Sequence, residues 1–118
     1  FLFTGDMEQK AEGDLLESGA DVHADVLKAG HHGSPTSSSE AFLTAVQPSV
    51  AVISVGADND YGHPGADVLA RLEALNAEIY RTDTQGEIII VSIAQSASMP
   101  EVIDLLIGQS AISSELFY

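Results

Sequence analysis

Asp6, His31, His32 and His63 are the residues best suited to chemistry in this chain, and each stands close to a glycine. Asp6 follows Thr4-Gly5. His31 and His32 sit between Gly30 and Gly33, and the chain then runs into Ser34-Pro35-Thr36. His63 ends the loop Asn59-Asp60-Tyr61-Gly62 and precedes Pro64. Two adjacent histidines gain a soluble domain no packing, whereas flanking glycines let the backbone turn sharply and approach what the imidazoles address. Imidazole exchanges protons near neutral pH and ligates borderline metals without adding charge, while a carboxylate supplies oxygen. The set suits zinc, or manganese with more oxygen ligands. Read as residues alone, each has a plainer alternative. Asp6 can cap a helix, the histidines can be solvated loop residues, and Tyr61 can pack on its own loop. His23 lies in the polar run Asp21–Asp25 without glycine framing and reads as a surface residue.

These residues need elements to hold them. The sequence predicts an apolar strand at Phe1–Phe3 and a helix from Asp6 to Gly19, with Asp6 as its N-cap and Gln9 three residues on. A buried strand follows at Ala24–Ala29. Ser37 and Glu40 have capping-box spacing for a helix to Val46, which Pro48 ends. Val50–Val55 is a β-branched strand, and Pro64 opens a third helix to about Asn76. Glu78–Arg81 and Glu87–Ile93 read as a hairpin joined through Asp83–Gly86. A short amphipathic helix is expected within Pro100–Gly108. The order β-α-β-α-β-α-β-β is that of an α/β layered fold. If the first three strands are parallel, Asp6, the histidine pair and His63 meet at one edge, where open α/β sheets place ligands. Helices starting near Ser37 and Pro64 would offer backbone N–H groups to an anion such as phosphate.

Composition narrows the options. A chain of 118 residues is one small domain at most, and a hydrophobic content of 45% excludes intrinsic disorder. No apolar run is long enough to cross a membrane as a helix. Without cysteine there are no disulfides or thiolate sites, so any metal must bind His, Asp or Glu. The formal charge of −14 leaves only Lys10, Lys28, Arg71 and Arg81 as basic residues, which excludes nucleic-acid binding by a basic patch of this chain. A start inside a core strand, without methionine, reads as part of a longer protein.

Four segments in order, Phe3-Thr-Gly-Asp6, Ala24 to Ser34 with its Gly-His-His-Gly-Ser, Ala51 through Asn59-Asp-Tyr-Gly-His-Pro64, and Tyr80 through Gly86, resemble the metallo-β-lactamase-fold hydrolases. More specifically, they resemble the C-terminal domain of the ComEC competence protein family. The resemblance covers residues 1–93 and leaves 94–118 as an extension. It implies the second half of an αββα sandwich that holds two divalent ions, zinc or manganese, between its sheets. Asp6 falls on the bridging aspartate, and His63 on the last histidine ligand or on a residue close to the metals. His31 and His32 fall on the pair beside the metals, His32 as a further ligand and both as candidates for phosphate binding and proton donation. Ser34, Thr36 and Asn59 would either support the ligands from behind or face substrate, and Tyr61, read from its type alone, can pack on its loop or stack on a substrate base or ring. The family's His-x-His-x-Asp-His type motif is absent, so the resemblance assigns activity to a complete domain with a missing N-terminal half.

The activity implied is metal-dependent phosphodiester hydrolysis on DNA during competence-related uptake. The setting implied is a soluble domain on the extracytoplasmic side of a bacterial membrane protein, with no membrane contact from this piece. Two other readings stand beside it. One is a free-standing cytoplasmic hydrolase of a small ester, thioester or lactone, and the other is a non-catalytic interaction module. A sheet lacking its cover is also expected to self-associate.

Overall fold

The computed structural model describes residues 1–93, with Val102–Ile107 and Ser110–Ala111 as backbone. The chain divides into two compact units, 1–83 and 84–118. The first contains β1 (Leu2–Phe3), α1 (Gln9–Glu17), β2 (Val26–Lys28), α2 (Glu40–Val46), β3 (Val50–Ile53), α3 (Ala66–Ala74) and β4 (Glu78–Arg81). All four strands are parallel, in the order β1-β2-β3-β4. Successive right-handed crossovers in one direction put every connecting helix on the same face. The helices accordingly form a row, α1 against α2 and α2 against α3.

Strand register shows which side chains make the core. Leu2, Leu27, Ala51 and Ile79 are in register across the sheet. Leu27 and Ala51 belong to the buried cluster formed with Phe42, Leu43 and Val46 of α2 and Val68 and Leu72 of α3, and the partly buried Leu2 and Ile79 pack against it. Side chains alternate along a strand, so the neighbouring row of Phe3, Lys28, Val52 and Tyr80 points to the other face. Phe3 there is exposed and stacks on Phe1 at 6.3 Å.

The helix starts differ from those expected. Glu8, not Asp6, is the N-cap of α1. Ser39, not Ser37, caps α2 by accepting from Phe42 N. Ser37 instead donates its hydroxyl proton to Met7 O at 2.6 Å. Left-handed Gln47 ends α2 one residue before Pro48. Gly65 caps α3, which therefore begins after Pro64. The phosphate-binding role expected of the N–H groups before α2 is taken by Glu12. That carboxylate is 1% exposed and accepts from Ser38 N at 2.6 Å and Ser39 N at 2.9 Å.

The expected hairpin does not form. β4 completes the parallel sheet, and Thr82–Gln85 is a helical turn, α4. Arg81 spends its guanidinium on Asp83, at 3.0 and 2.7 Å, which raises its proton affinity and favours a turn there. In the second unit, β5 (Ile88–Ile93) pairs antiparallel with β6 (Val102–Ile107), which pairs with β7 (Ser110–Ala111). The stretch expected to be helical at 100–108 is thus a strand wherever it is described. Its Val and Ile content favours extended backbone, and β5 supplies a full set of hydrogen-bonding partners. Among the described residues no helix is long and apolar enough to cross a membrane.

Candidate functional site

Because β1, β2 and β3 run in the same direction, the segments that leave them lie along one edge of the sheet. Asp6, His31, His32, Tyr61 and His63 line one open pocket there of about 200 Å³. Five residues from three loops, separated by up to 57 positions in sequence, are brought together by topology alone.

The histidine loop is the hinge of the arrangement. His31 and His32 both adopt left-handed backbone, at φ 50° and 57°. Such conformations cost a side-chain-bearing residue energy and are retained where the surroundings impose them. The flanking glycines allow the neighbouring loops to close in. A Cβ on Gly30 would lie 3.0 Å from Thr4 Oγ1 and 3.2 Å from Met7 O, so glycine at this position admits the Asp6 loop. His31 N donates to Gly5 O at 2.8 Å across the same contact. On the other side, a Cβ on Gly33 would lie 2.7 Å from Pro64 Cβ. Gly65 N donates to Gly33 O at 2.8 Å, fixing the His63 loop. Gly-His-His-Gly therefore presents two imidazoles and seats the loops that carry Asp6 and His63.

The imidazoles differ in their hydrogen bonding. His32 Nδ1 lies 2.7 Å from Ser54 O. A carbonyl only accepts, so Nδ1 carries the proton, and in the neutral ring Nε2 keeps a free lone pair. His31 Nδ1 is shielded from solvent and makes no hydrogen bond; the Glu8 carboxylate stands 3.5 Å away. His31 meets His63 edge to face at 5.8 Å, and Tyr61 stacks on His63 at 5.6 Å.

Asn59 organises the last of the three loops. Its side-chain amide donates to Gly56 O at 2.9 Å and His63 O at 2.8 Å, and its oxygen accepts from Tyr61 N and His63 N. With both ends occupied, Asn59 shapes the loop and is not among the pocket-lining residues. Ser34 is buried and bonds to Thr36 Oγ1 at 2.9 Å and Thr36 N at 3.2 Å. Neither Ser34 nor Thr36 lines the pocket. Of Ser34, Thr36, Asn59 and Tyr61, only Tyr61 lines the pocket, and the other three lie in the loops behind it. His23 is exposed, as expected, and precedes β2, at the opposite end of the strand from His31.

The pocket contains no lysine or arginine. Lys10 pairs with Asp14 at 3.0 Å, Arg71 donates to Ser38 O and Arg81 holds Asp83, so three of the four cations are engaged elsewhere. Among the described residues, no three His, Asp or Glu side chains are close enough to form a ready-made metal centre. The pocket offers donors of the right chemical type, one carboxylate and three imidazoles, but not an assembled coordination shell.

Comparison with known proteins gives the chain relatives. ComE operon protein 3 of Bacillus subtilis (strain 168) is 41% identical over 88 residues, 75% of this chain and 11% of that protein. This chain is similar to bacterial competence proteins. Competence protein ComA of Neisseria gonorrhoeae is 45% identical over 86 residues, 72% of this chain and 12% of its own length. Recombination protein 2 of Haemophilus influenzae is 39% identical over 87 residues, 74% of this chain and 11% of that protein. The chain thus corresponds to a small part of these relatives, about a tenth of their length. No family model matches it, and no solved structure gives a significant match.

Glu12 is the structurally important polar residue that sequence reading missed. A signal was available, since it lies three and four positions before Leu15 and Leu16 and therefore on the same inward helix face.

Proposed function

We propose that the chain is the second half of a metallo-β-lactamase-type domain that hydrolyses phosphodiester bonds of DNA with a divalent metal, in competence-related uptake. The convergence of Asp6, His31, His32 and His63 in one pocket at the carboxyl edge of a parallel sheet carries this reading. Similarity to competence proteins supports the setting. The lack of a cationic side chain in the pocket supports the metal, because an anionic phosphodiester there needs a positive partner.

Asp6, His63 and His32 through Nε2 are the residues that would hold zinc or manganese, with the remaining ligands supplied by the other half of the domain. When bound, the metal supplies Lewis acidity and charge compensation at the phosphoryl group. His32 is prepared for its part by Ser54, whose carbonyl fixes the ring's tautomer and direction. His31, in contact with both His32 and His63, is positioned to give a proton to the leaving oxygen. Asn59 holds the His63 backbone at both N–H and C=O, which limits how far that ring can move.

The test is DNA cleavage by the complete domain with added manganese or zinc. Cleavage is expected, and Asp6→Ala is expected to abolish it; cleavage unchanged by that substitution overturns the assignment. One observation favours a small ester, thioester or lactone instead, namely the charge of −14, which repels a polyanion. Preference for a small uncharged ester over DNA in the same assay would select that reading.

A further inference from the structure

Tyr61 lies outside the hydrophobic core. The residue is 81% exposed although it is a large aromatic, and it stands on the wall of the pocket that contains Asp6 and the three histidines. One face lies against the His63 imidazole, with centroids 5.6 Å apart and planes 26° from parallel. At that exposure, and with His63 as the one ring stacked on it among the described residues, the opposite face is left available to solvent. The backbone beneath is also fixed, since Tyr61 N and His63 N both donate to Asn59 Oδ1, at 3.2 and 3.0 Å. A solvent-facing aromatic held by a stacked partner and a clamped loop is pre-organised to receive a second flat ring at low entropic cost.

We infer that Tyr61 is a base-stacking platform: its open face takes the nucleobase next to the phosphodiester in the pocket, and Asn59 is the positioning residue that keeps the platform upright. This rests on the phosphodiester reading above and adds how the strand is gripped. The chemistry suits single-stranded nucleic acid, where bases are free to leave their neighbours and stack on aromatic side chains without regard to sequence. It also fits the charge distribution. With no basic groove to track the backbone, affinity beyond the reacting phosphate must come from contacts that do not depend on positive charge.

The chain contains no tryptophan, so Tyr61→Trp places a single indole on the pocket wall. The full chain carrying this change is titrated, with zinc present, against a single-stranded oligothymidylate and against an abasic sugar-phosphate oligomer of the same length. Quenching by the oligothymidylate and not by the abasic oligomer is expected. Tyr61→Leu should weaken oligothymidylate binding by about tenfold, as expected for losing one stacked base, and leave abasic binding unchanged. Tyr61→Phe, which keeps the ring, should bind like the unsubstituted chain. Equal quenching by both oligomers, an equal loss of both on Tyr61→Leu, or no binding of either overturns the inference. The two readings fail separately. If DNA cleavage by the complete domain depends on Asp6 while Tyr61→Leu has no base-dependent effect, hydrolysis stands and stacking falls. If base-dependent quenching appears without Asp6-dependent cleavage, stacking stands and hydrolysis falls.

Discussion

At the scale of single residues, the site depends on glycines as much as on histidines. Gly30 and Gly33 are the points where the loops after β1 and β3 press against the histidine turn. Gly33 is the more demanding of the two, because its φ of 78° is left-handed and its missing Cβ makes room for Pro64. Gly33→Ala is expected to cost about 2 kcal/mol, roughly the penalty of a left-handed alanine plus the displaced proline. Thermal unfolding measures it, and the His63 ring resonances should shift in the same variant. An unfolding midpoint and His63 spectrum like those of the parent would contradict this account of the turn. The sequence announced the histidine pair through its framing, and the spacing of Tyr61, Gly62 and His63 marked a second loop of the same kind. What it concealed was the division of labour among polar side chains. Ser34, Thr36 and Asn59 have the composition of substrate contacts, yet their hydrogen bonds are spent within their own loops. Side-chain chemistry alone does not distinguish a group that faces a ligand from one that shapes a turn.

At the scale of elements, the strands and the apolar helix faces were legible because β-branched runs and the spacing of Val68, Leu69, Leu72 and Leu75 leave few alternatives. Helix starts were not. Three consecutive serines precede α2, and all have cap chemistry. Glu12 decides among them by engaging the N–H groups of Ser38 and Ser39 from 26 and 27 residues away, which leaves Ser39 to cap the helix. The spacing of Glu12 to Leu15 and Leu16 marks it as inward-facing, but nothing local to the three serines shows which of their N–H groups it engages. Glu12 therefore links α1 to the start of α2, while Ser37 ties the same turn to Met7, in the Asp6 loop. Glu12→Gln keeps one acceptor and turns an amide N–H towards the other backbone donor. It is expected to destabilise the chain by about 2 kcal/mol, read by denaturant unfolding with an unchanged slope. A loss below a few tenths of a kcal/mol would show that the buried carboxylate is not holding the turn. The hairpin expectation failed for a related reason. Asp83-Thr-Gln-Gly reads as a reversal between two strands, but pairing β4 with β3 completes a parallel sheet whose core row needs Ile79. Tertiary pairing outweighs local turn preference there.

At the scale of the whole molecule, a strongly acidic chain has gathered one carboxylate and three imidazoles at one sheet edge and placed its four cations elsewhere. The proposed function requires this edge to be one site that takes a divalent metal. His23 provides an internal control, because it stands before β2 while His31 and His32 follow it. Manganese added in substoichiometric amounts broadens the resonances of nuclei near it even when binding is weak, so an incomplete coordination shell does not defeat the measurement. Titrating manganese into the full chain while observing the four histidine rings should broaden His31, His32 and His63 together and leave His23 sharp, with the selectivity reduced in Asp6→Ala. Broadening that is uniform across all four rings, or strongest at His23, would contradict the claim.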